Sequence, residues 1–341
     1  MSPRVLTVAA ILFVAAGCGT GLDGVVVEEP RPTIFPDEPE TSTTTAPIES
    51  TTTTTTTLPL RERLPELRDD GRSRVAVTPT GIVVPVVEVT ETAWVVQTPC
   101  GNQVEITEGT FVSAAHVVLD PGHGGSETGA VGEAGTRESD LNLTVARLTA
   151  AVLEEQGVRV VLTRLGDTRS TLETRSLIAT TLGANAFVSI HHNADPDGPA
   201  NEPGSEMWYQ IDDVESRRLS GLLYEEVLSA LSAHDAEWVS DRDAGVKYRL
   251  NERGTDYYGI LRNAAGVPAT LAELAFLTNP TEEQLLVDAA VQAEVAEALA
   301  TGIVRFLASD DLGSGFVEPY ERVEPAGPGG GSAGCDDPPL Q

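Results

Sequence analysis

The chain has 341 residues, and its 52 acidic residues outnumber its 22 basic ones, so its formal net charge is −30. This acidity argues against DNA or RNA as a partner, because phosphate binding needs a basic surface. It also argues against electrostatic docking onto anionic lipid, and its ordinary explanation is solubility. The length suits one enzyme-sized domain with extensions.

The first residues have the pattern of a secretory signal peptide, residues 1–17. One basic residue, Arg4, precedes an apolar run from Val5 to Ala16, which is too short to span a bilayer comfortably. Small residues directly before Cys18 resemble the lipobox of bacterial lipoproteins, which implies acylation of the Cys18 thiol. The alternative is an ordinary signal peptide with a coincidental cysteine.

Composition divides the next part of the chain. Residues 18–74 are predicted to be a disordered linker, because their Pro, Glu and Thr content cannot form a packed core. Such a linker would act as a stalk. Residues 75–107 alternate Val and Thr between Pro and Gly turns, which predicts three or four short strands in a small β-rich module with bounds 75–114. The sequence gives no role for this module.

From residue 115 the pattern alternates between strands and helices. The predicted strands are 116–120, 158–164, 186–193, 204–211 and 268–276, and the predicted helices are 138–157, 171–184, 214–231, 279–286 and 290–307. This order predicts an α/β domain over 115–309, with a mixed, mostly parallel sheet and helices on both faces. The acidic, Gly/Pro-rich residues 310–341 are expected to form a flexible tail.

Two cysteines remain if Cys18 is lipidated, namely Cys100 and Cys335. An exported chain with two spare cysteines often pairs them. A disulfide between them would tie the tail to the segment before the main domain, and it is stated here as a hypothesis.

Several chemically competent side chains fall at strand ends, where ligands bind in open α/β sheets. His123 follows the first strand in the sequence VVLDPGHGG, and His191 and His192 end a later strand. Glu138 opens a helix, and Glu273 interrupts a late apolar strand, where an unpaired charge is expensive to bury. Two histidines with one or two glutamates form a set typical of zinc sites.

Each feature also has a simpler explanation. A lone loop histidine is more often structural, and Glu138 alone could complement a helix dipole. Glu273 could pair with an arginine such as Arg262. The adjacent histidines point to opposite sides of their strand, so only one faces a given metal, and the chemistry does not say which. The glycine loop lacks a P-loop lysine and the GxGxxG spacing, which argues against a phosphate site.

Five segments resemble, in order, the zinc-dependent N-acetylmuramoyl-L-alanine amidases of bacterial cell walls, in particular the amidase_3 catalytic domain. They are VVLDPGHGG, ESDLNLTVARL, VVLTR, FVSIHHN and PATLAELAFLTNP, and the resemblance covers about residues 115 to 308. By this resemblance one Zn²⁺ is held by His123, Glu138 and His191, and Glu273 is the catalytic glutamate. His192 stands where the family usually has alanine and is a candidate substrate contact or competing ligand. Asn193 keeps the family pattern and is a second candidate substrate contact.

The resemblance implies hydrolysis of the amide bond between N-acetylmuramic acid and L-alanine in peptidoglycan, for cell-wall remodelling or daughter-cell separation. The expected location is the outer face of the cell membrane, where the lipid anchor would hold the domain facing the wall. The need for an activator protein is left open. The alternatives are another zinc peptidase acting on stem peptides and a catalytically silent wall-binding lipoprotein.

Some members of the resembled family block the site with a helix after the S-I-H motif. Here residues 194–203, ADPDGPANEP, separate Asn193 from the next strand, and three prolines in ten residues cannot supply a long helix. We therefore expect no autoinhibitory helix in this segment.

Overall fold

The structure is a computed structural model, and it describes residues 58–195, 204–234, 244–318 and 330–341. The predicted signal peptide, Cys18 and most of the predicted linker lie outside the described residues. So does most of the segment that is expected to lack an inhibitory helix. Among the helices that are described, none is long and apolar enough to cross a bilayer.

A short helix and five strands precede residue 115. They are α1 Leu60–Arg63, β1 Val75–Val77, β2 Val83–Val89, β3 Trp94–Gln97, β4 Gln103–Ile106 and β5 Thr110–Val112. The five strands pair antiparallel in the order β4-β3-β2-β1-β5 and form what we call the N-terminal module. Strands β1–β4 lie within residues 75–107, where three or four strands were expected, and β5 lies beyond that range.

The N-terminal module packs on the main domain through alternate residues of its strands. Val75 and Val83 join a core cluster that includes Phe187 of the main sheet. Their neighbours Ala76 and Val84 point the other way, into a small core of the module itself. Side chains alternate along a strand, so one short strand serves both cores.

Six strands form the main sheet. They are β6 Val117–Pro121, β7 Val160–Leu162, β8 Ala186–Asn193, β9 Glu206–Tyr209, β10 Gly245–Lys247 and β11 Ala269–Phe276. Their order is β10-β9-β11-β8-β6-β7, and only the β9–β11 pairing among these described strands is antiparallel. The central strands β6, β8 and β11 are buried on both faces, which explains their near-continuous apolar sequence.

Helices cover both faces of this sheet. They are α2 Glu138–Glu155, α3 Leu172–Leu182, α4 Val214–Leu231, α5 Gly259–Asn263, α6 Pro280–Leu286 and α7 Ala289–Ala308. Helices α2, α4 and α7 pack together in one core cluster, and α3 and α5 contribute to the other. The predicted α/β fold, with a mostly parallel sheet and a preceding β-rich segment, is confirmed. The short elements β10 and α5 were not predicted, since three to five residues carry no periodic signal.

The structure departs from the expected bounds of the linker and the tail. Helix α1 belongs to the predicted linker, yet Arg63 Nη1 donates to the Ala308 carbonyl at 3.3 Å and Leu64 packs against the core. At the other end, a disulfide joins Cys100 to Cys335, with Cα atoms 5.6 Å apart. Residues 330–341, which we call the C-terminal segment, therefore lie against the N-terminal module rather than forming a free tail.

The turn from β11 into α6 buries a carboxyl group. Asn279 caps α6, with its side chain accepting from the backbone N–H groups of Thr281 and Glu282. Glu282 is fully buried. One of its oxygens accepts from the Phe276 N–H at 2.6 Å, and the other has no hydrogen-bond partner within the described residues. Burial raises the pKa of Glu282 to about 8, so the folded protein keeps this group mostly protonated at neutral pH.

Glu282→Gln is expected to stabilise the protein, relative to wild type, increasingly as the pH rises from about 5 to about 8. The pKa of Glu282 is about 8 in the folded state against an ordinary value of 4.5. Between these values the wild-type folded state binds a proton that the unfolded state has released, so its stability falls with rising pH. Glutamine keeps the acceptor for Phe276 and does not titrate.

Urea titrations at several pH values measure this effect. The difference in unfolding free energy between variant and wild type should grow by up to about 1.4 kcal/mol per pH unit. A difference that is equal at both ends of this pH range would contradict the assignment.

Candidate active site

The carboxyl ends of neighbouring strands bring the candidate residues together. His191 of β8 pairs in register with Glu273 of β11. His123 follows the end of β6, which is the other neighbour of β8. Glu138 is the first residue of α2. Four residues that lie 15 to 150 positions apart along the chain thus meet at one edge of the sheet, as expected for an open α/β fold.

His123, Glu138 and His191 form a compact cluster of metal-type donors. His123 Nε2 lies 3.2 Å from Glu138 Oε2, and His191 Nδ1 lies 2.8 Å from Glu138 Oε1. One donor atom from each residue lies within 4.8 Å of the other two, so the three could hold a metal ion. The histidine side chains are 30% and 15% exposed, which leaves the cluster open on one side.

Glu138 is kept ionised by its surroundings. Burial raises the pKa of its carboxyl, but hydrogen bonds from His123 and His191 outweigh burial and hold that pKa well below 4.5. Backbone N–H groups of Ala130 and His192 also donate to its oxygens, at 2.8 and 3.2 Å. A carboxylate with this many donors stays charged, as a metal ligand must.

Glycines make room for the cluster. A Cβ atom on Gly122 would lie 2.2 Å from the His191 ring. A Cβ atom on Gly129 would lie 2.3 Å from Glu138 Oε2, and Gly129 also has a φ of +68°. His123 itself has a φ of 60°, a left-handed conformation that costs a non-glycine residue about 1–2 kcal/mol. The surrounding structure must hold the His123 turn against this strain.

Two buried arginines hold the His123 turn by its carbonyl groups. Arg175 of α3 donates to the carbonyls of Pro121 and His123 at 2.8 and 2.6 Å. Arg164, just after β7, donates to the carbonyls of Pro121 and Gly122 at 2.8 and 3.0 Å. Three successive carbonyls are therefore fixed by guanidinium groups, whose rigid fork suits such contacts.

Asp120 balances the charge beneath this turn. Its carboxylate lies 2.7 Å from Arg175 Nη1 and accepts from the hydroxyl groups of Thr163 and Ser189. Burial raises the pKa of Asp120, but the Arg175 charge and these hydrogen bonds leave it lowered overall. Sequence reasoning missed this set of residues. Its one signal was an aspartate ending an apolar strand, directly before the His123 turn.

Glu273 lies in a different environment from Glu138. Its Oε2 is buried and has no hydrogen-bond partner within the described residues. Burial, together with the charges of Glu138 and Glu206, raises its pKa well above 4.5. The alternative pairing with Arg262 is wrong, because Arg262 donates to the carbonyls at 256 and 257 instead. An unpaired carboxyl beside the cluster is the arrangement of a proton-transfer group.

His192 is not placed to touch substrate, so that prediction is wrong. It is 2% exposed, and its Nδ1 lies 2.7 Å from Asn142 Oδ1 on α2. Asn142 in turn donates to Glu138 Oε1 at 3.2 Å. Because side chains alternate along a strand, His191 faces the cluster, whereas the His192 side chain lies on the other face of the sheet and packs beneath α2. The Asn193 amide donates to Glu206 Oε2 at 2.7 Å, and its role as a substrate contact stays a prediction.

A pocket of about 500 Å³ opens beside the cluster. His123 and His191 line one part of it. Its other lining includes Glu127, Leu172 and, from the C-terminal segment, Gly330. The volume suits a small-molecule or sugar-sized group.

The fold and site together define an α/β protein with a His–Glu–His cluster able to hold a metal ion beside a partly buried carboxyl group. The family model Amidase_3, described as N-acetylmuramoyl-L-alanine amidase, matches residues 117–305, more than half of the chain. The chain belongs to this family, and the predicted enzyme class, N-acetylmuramoyl-L-alanine amidase, is confirmed.

Individual relatives agree with the family match. The uncharacterized protein YqiI of Bacillus subtilis is 35% identical over 207 residues, covering 60% of this chain and 88% of that protein. The N-acetylmuramoyl-L-alanine amidase AmiA of Escherichia coli K12 is 31% identical over 221 residues, covering 56% and 75%. The solved N-acetylmuramoyl-L-alanine amidase from Clostridium difficile 630 is similar with a TM-score of 0.50 at 31% identity, covering 58% of this chain and 100% of that one.

Gly122→Ala is expected to weaken metal binding by at least about tenfold, because its Cβ would meet the His191 ring and displace one donor. Gly166→Ala is the matched control, since a Cβ there meets nothing within 4 Å. Calorimetric titration of the metal-free proteins with Zn²⁺ measures both affinities. Equal affinities for the two variants would show that the close approach of Gly122 to His191 does not matter.

Proposed function

We propose that this chain hydrolyses the amide bond between N-acetylmuramic acid and L-alanine in peptidoglycan, using one zinc ion. The observation that carries the proposal is the juxtaposition of a three-donor cluster with Glu273, which lies on the strand next to that of His191 and has one buried oxygen without a hydrogen-bond partner among the described residues. His191 and Glu273 are register partners, so their side chains emerge on the same face of the sheet.

The donor set fits zinc. Two imidazole nitrogens and one carboxylate give three protein ligands, which is the usual number for a catalytic zinc site that leaves a position for substrate or water. Glu138 lies within 3.2 Å of a ring nitrogen of each histidine in this structure. Protons shared within those contacts would be released when a cation takes their place. His123, Glu138 and His191 would hold the ion.

The chemistry divides between the ion and Glu273. A bound zinc ion supplies Lewis-acid chemistry, lowering the pKa of water and polarising a carbonyl group. Glu273 accepts a proton from the attacking water while the oxygen of that water bonds to the lactyl carbonyl carbon. Glu273 then passes the proton to the amide nitrogen as the C–N bond breaks, which releases a carboxylic acid and the free amino group of L-alanine. Its raised pKa favours holding the proton between these two steps.

We further propose an exported protein with a lipid anchor at Cys18. The amidase family supports action at the cell wall, and the signal-like residues 1–17 support export. A lipid-anchored domain on a Thr/Pro-rich stalk would reach the wall while staying attached to the membrane. Wall remodelling or daughter-cell separation would be the biological setting.

Zinc content distinguishes the two adjacent histidines. His191→Ala is expected to remove the zinc, because it deletes one of three ligands. His192→Gln is the matched control, which removes a buried partner of Asn142 on the other face of the strand. Elemental analysis after dialysis should find one zinc per chain in wild type and His192→Gln, and none in His191→Ala. Equal zinc content in both variants would remove His191 from the ligand set.

Glu273→Gln is expected to lower kcat by about 10²- to 10⁴-fold, because it removes the proton-transfer group. Its zinc content should be unchanged. Mass spectrometry of digested peptidoglycan fragments should show free stem peptides with an L-alanine amino terminus for wild type only.

Other products decide between the alternatives. Cuts within the stem peptide would keep the metal site and assign the chain to stem-peptide hydrolysis. No products from wild type with bound zinc would favour a silent wall-binding protein.

A further inference from the structure

The C-terminal segment reaches the pocket of the candidate active site. Gly330 lines the same pocket as His123 and His191, although the last helix of the main domain, α7, ends more than twenty residues earlier. The backbone N–H of Leu172, at the start of α3, donates to the Gly330 carbonyl at 2.9 Å. Leu172 and Gly330 thus form one wall of the pocket together.

Gly330 is held tightly against that wall. Its φ is +75°, and a Cβ atom at this position would lie 2.3 Å from Leu172 Cγ. Only a residue without a side chain fits there. A substitution of Gly330 by alanine would therefore disturb its contact with Leu172 while leaving the rest of the segment in place.

Arg169 joins the C-terminal segment to the loop on another side of the pocket. Its Nη2 donates to the carbonyls of Gly331 and Ala333, both at 3.0 Å. The same group lies 2.9 Å from Glu127, which lines the pocket. The Arg169 side chain is 12% exposed, whereas Gly331 and Ala333 are exposed.

The far end of this connection is covalent. Cys335 is bonded to Cys100 of the N-terminal module. Asp337 adds hydrogen bonds to the module, from Thr98 Oγ1 at 2.8 Å and the Cys100 N–H at 2.9 Å. The segment is therefore held at the pocket by Leu172 and Arg169 and at the module by the disulfide.

We propose that Gly330, together with Leu172, forms a substrate-binding wall of the active-site pocket, and that the Cys100–Cys335 disulfide holds Gly330 there through residues 331–334. This inference rests on the proposed function, because the ligand is the muramyl-peptide substrate of that site. The wall contributes to substrate affinity and not to the chemical step, since it carries no group near the reacting atoms. The N-terminal module gains a role through it, as the anchor of the segment.

The test compares two variants in the full-length, zinc-loaded protein. Gly330→Ala keeps the disulfide and displaces the wall at Leu172. Deletion of residues 330–341, combined with Cys100→Ser, removes the wall and leaves no unpaired thiol. Both should raise KM for muramyl-peptide fragments, the deletion by about fivefold or more, with kcat within about twofold of wild type.

Asp337→Asn is the matched control. It weakens contacts between the same segment and the module, but the disulfide still holds Cys335, so KM should stay within about twofold of wild type. Thermal unfolding of each protein verifies that the fold is intact. If the deletion variant does not fold, the KM of Gly330→Ala compared with that of Asp337→Asn still tests whether the wall contributes to substrate affinity.

Binding supplies a second readout that does not depend on turnover. In a Glu273→Gln background, the Kd for an N-acetylmuramyl-tripeptide should rise for Gly330→Ala and stay constant for Asp337→Asn. The proposal that Gly330 forms a substrate-binding wall would be contradicted by equal Kd values for Gly330→Ala and Asp337→Asn, by the absence of binding, or by a fall in kcat at constant KM. Wild type that binds the fragment but does not cleave it would overturn the proposed function alone, and the Kd comparison would still decide the wall.

Discussion

The site depends on one buried ion pair, between Asp120 at the end of β6 and Arg175 on α3, whose side chains are 1% and 2% exposed. Burying two charges is costly unless each also finds hydrogen bonds. Asp120 has the hydroxyl groups of Thr163 and Ser189, and Arg175 has the carbonyl of His123. The strained left-handed turn at His123 is thereby attached to a helix across the sheet edge. The position of a proposed metal ligand follows from charge balance in the core.

The pKa values of the two glutamates in this site are shifted in opposite directions because their surroundings differ. Glu138 is surrounded by donors, and hydrogen bonds from His123 and His191 keep its pKa low. Glu273 lies on the neighbouring strand with an oxygen that has no partner among the described residues, and its pKa is raised. Two carboxyl groups whose pKa values are shifted in opposite directions are typical of sites of acid–base catalysis. The nearby charge of Glu206 strengthens the contrast by disfavouring ionisation of Glu273.

Parts of the chain outside the family match bear on the site. The match covers residues 117–305, whereas the N-terminal module precedes it and the C-terminal segment follows it. The Cys100–Cys335 disulfide joins these two parts across 235 positions of sequence. Because Gly330 then lines the pocket, elements that share no chemistry with the metal cluster still shape the space beside it.

The sequence by itself determined the α/β fold and the long strands and helices, because hydrophobic periodicity is a local pattern. The resemblance of its short motifs to the amidase family named the four residues of the candidate site. The sequence did not determine which of His191 and His192 faces the cluster by chemistry alone. Nor did it reveal the partners of Asp120. Only the tertiary structure decided these points. Side-chain alternation along a strand does not say which face of the sheet carries the cluster. The partner of the buried Asp120, Arg175, lies 55 residues away in the chain. The place of Gly330 was equally beyond sequence, because a contact closed by a long-range disulfide leaves no local pattern.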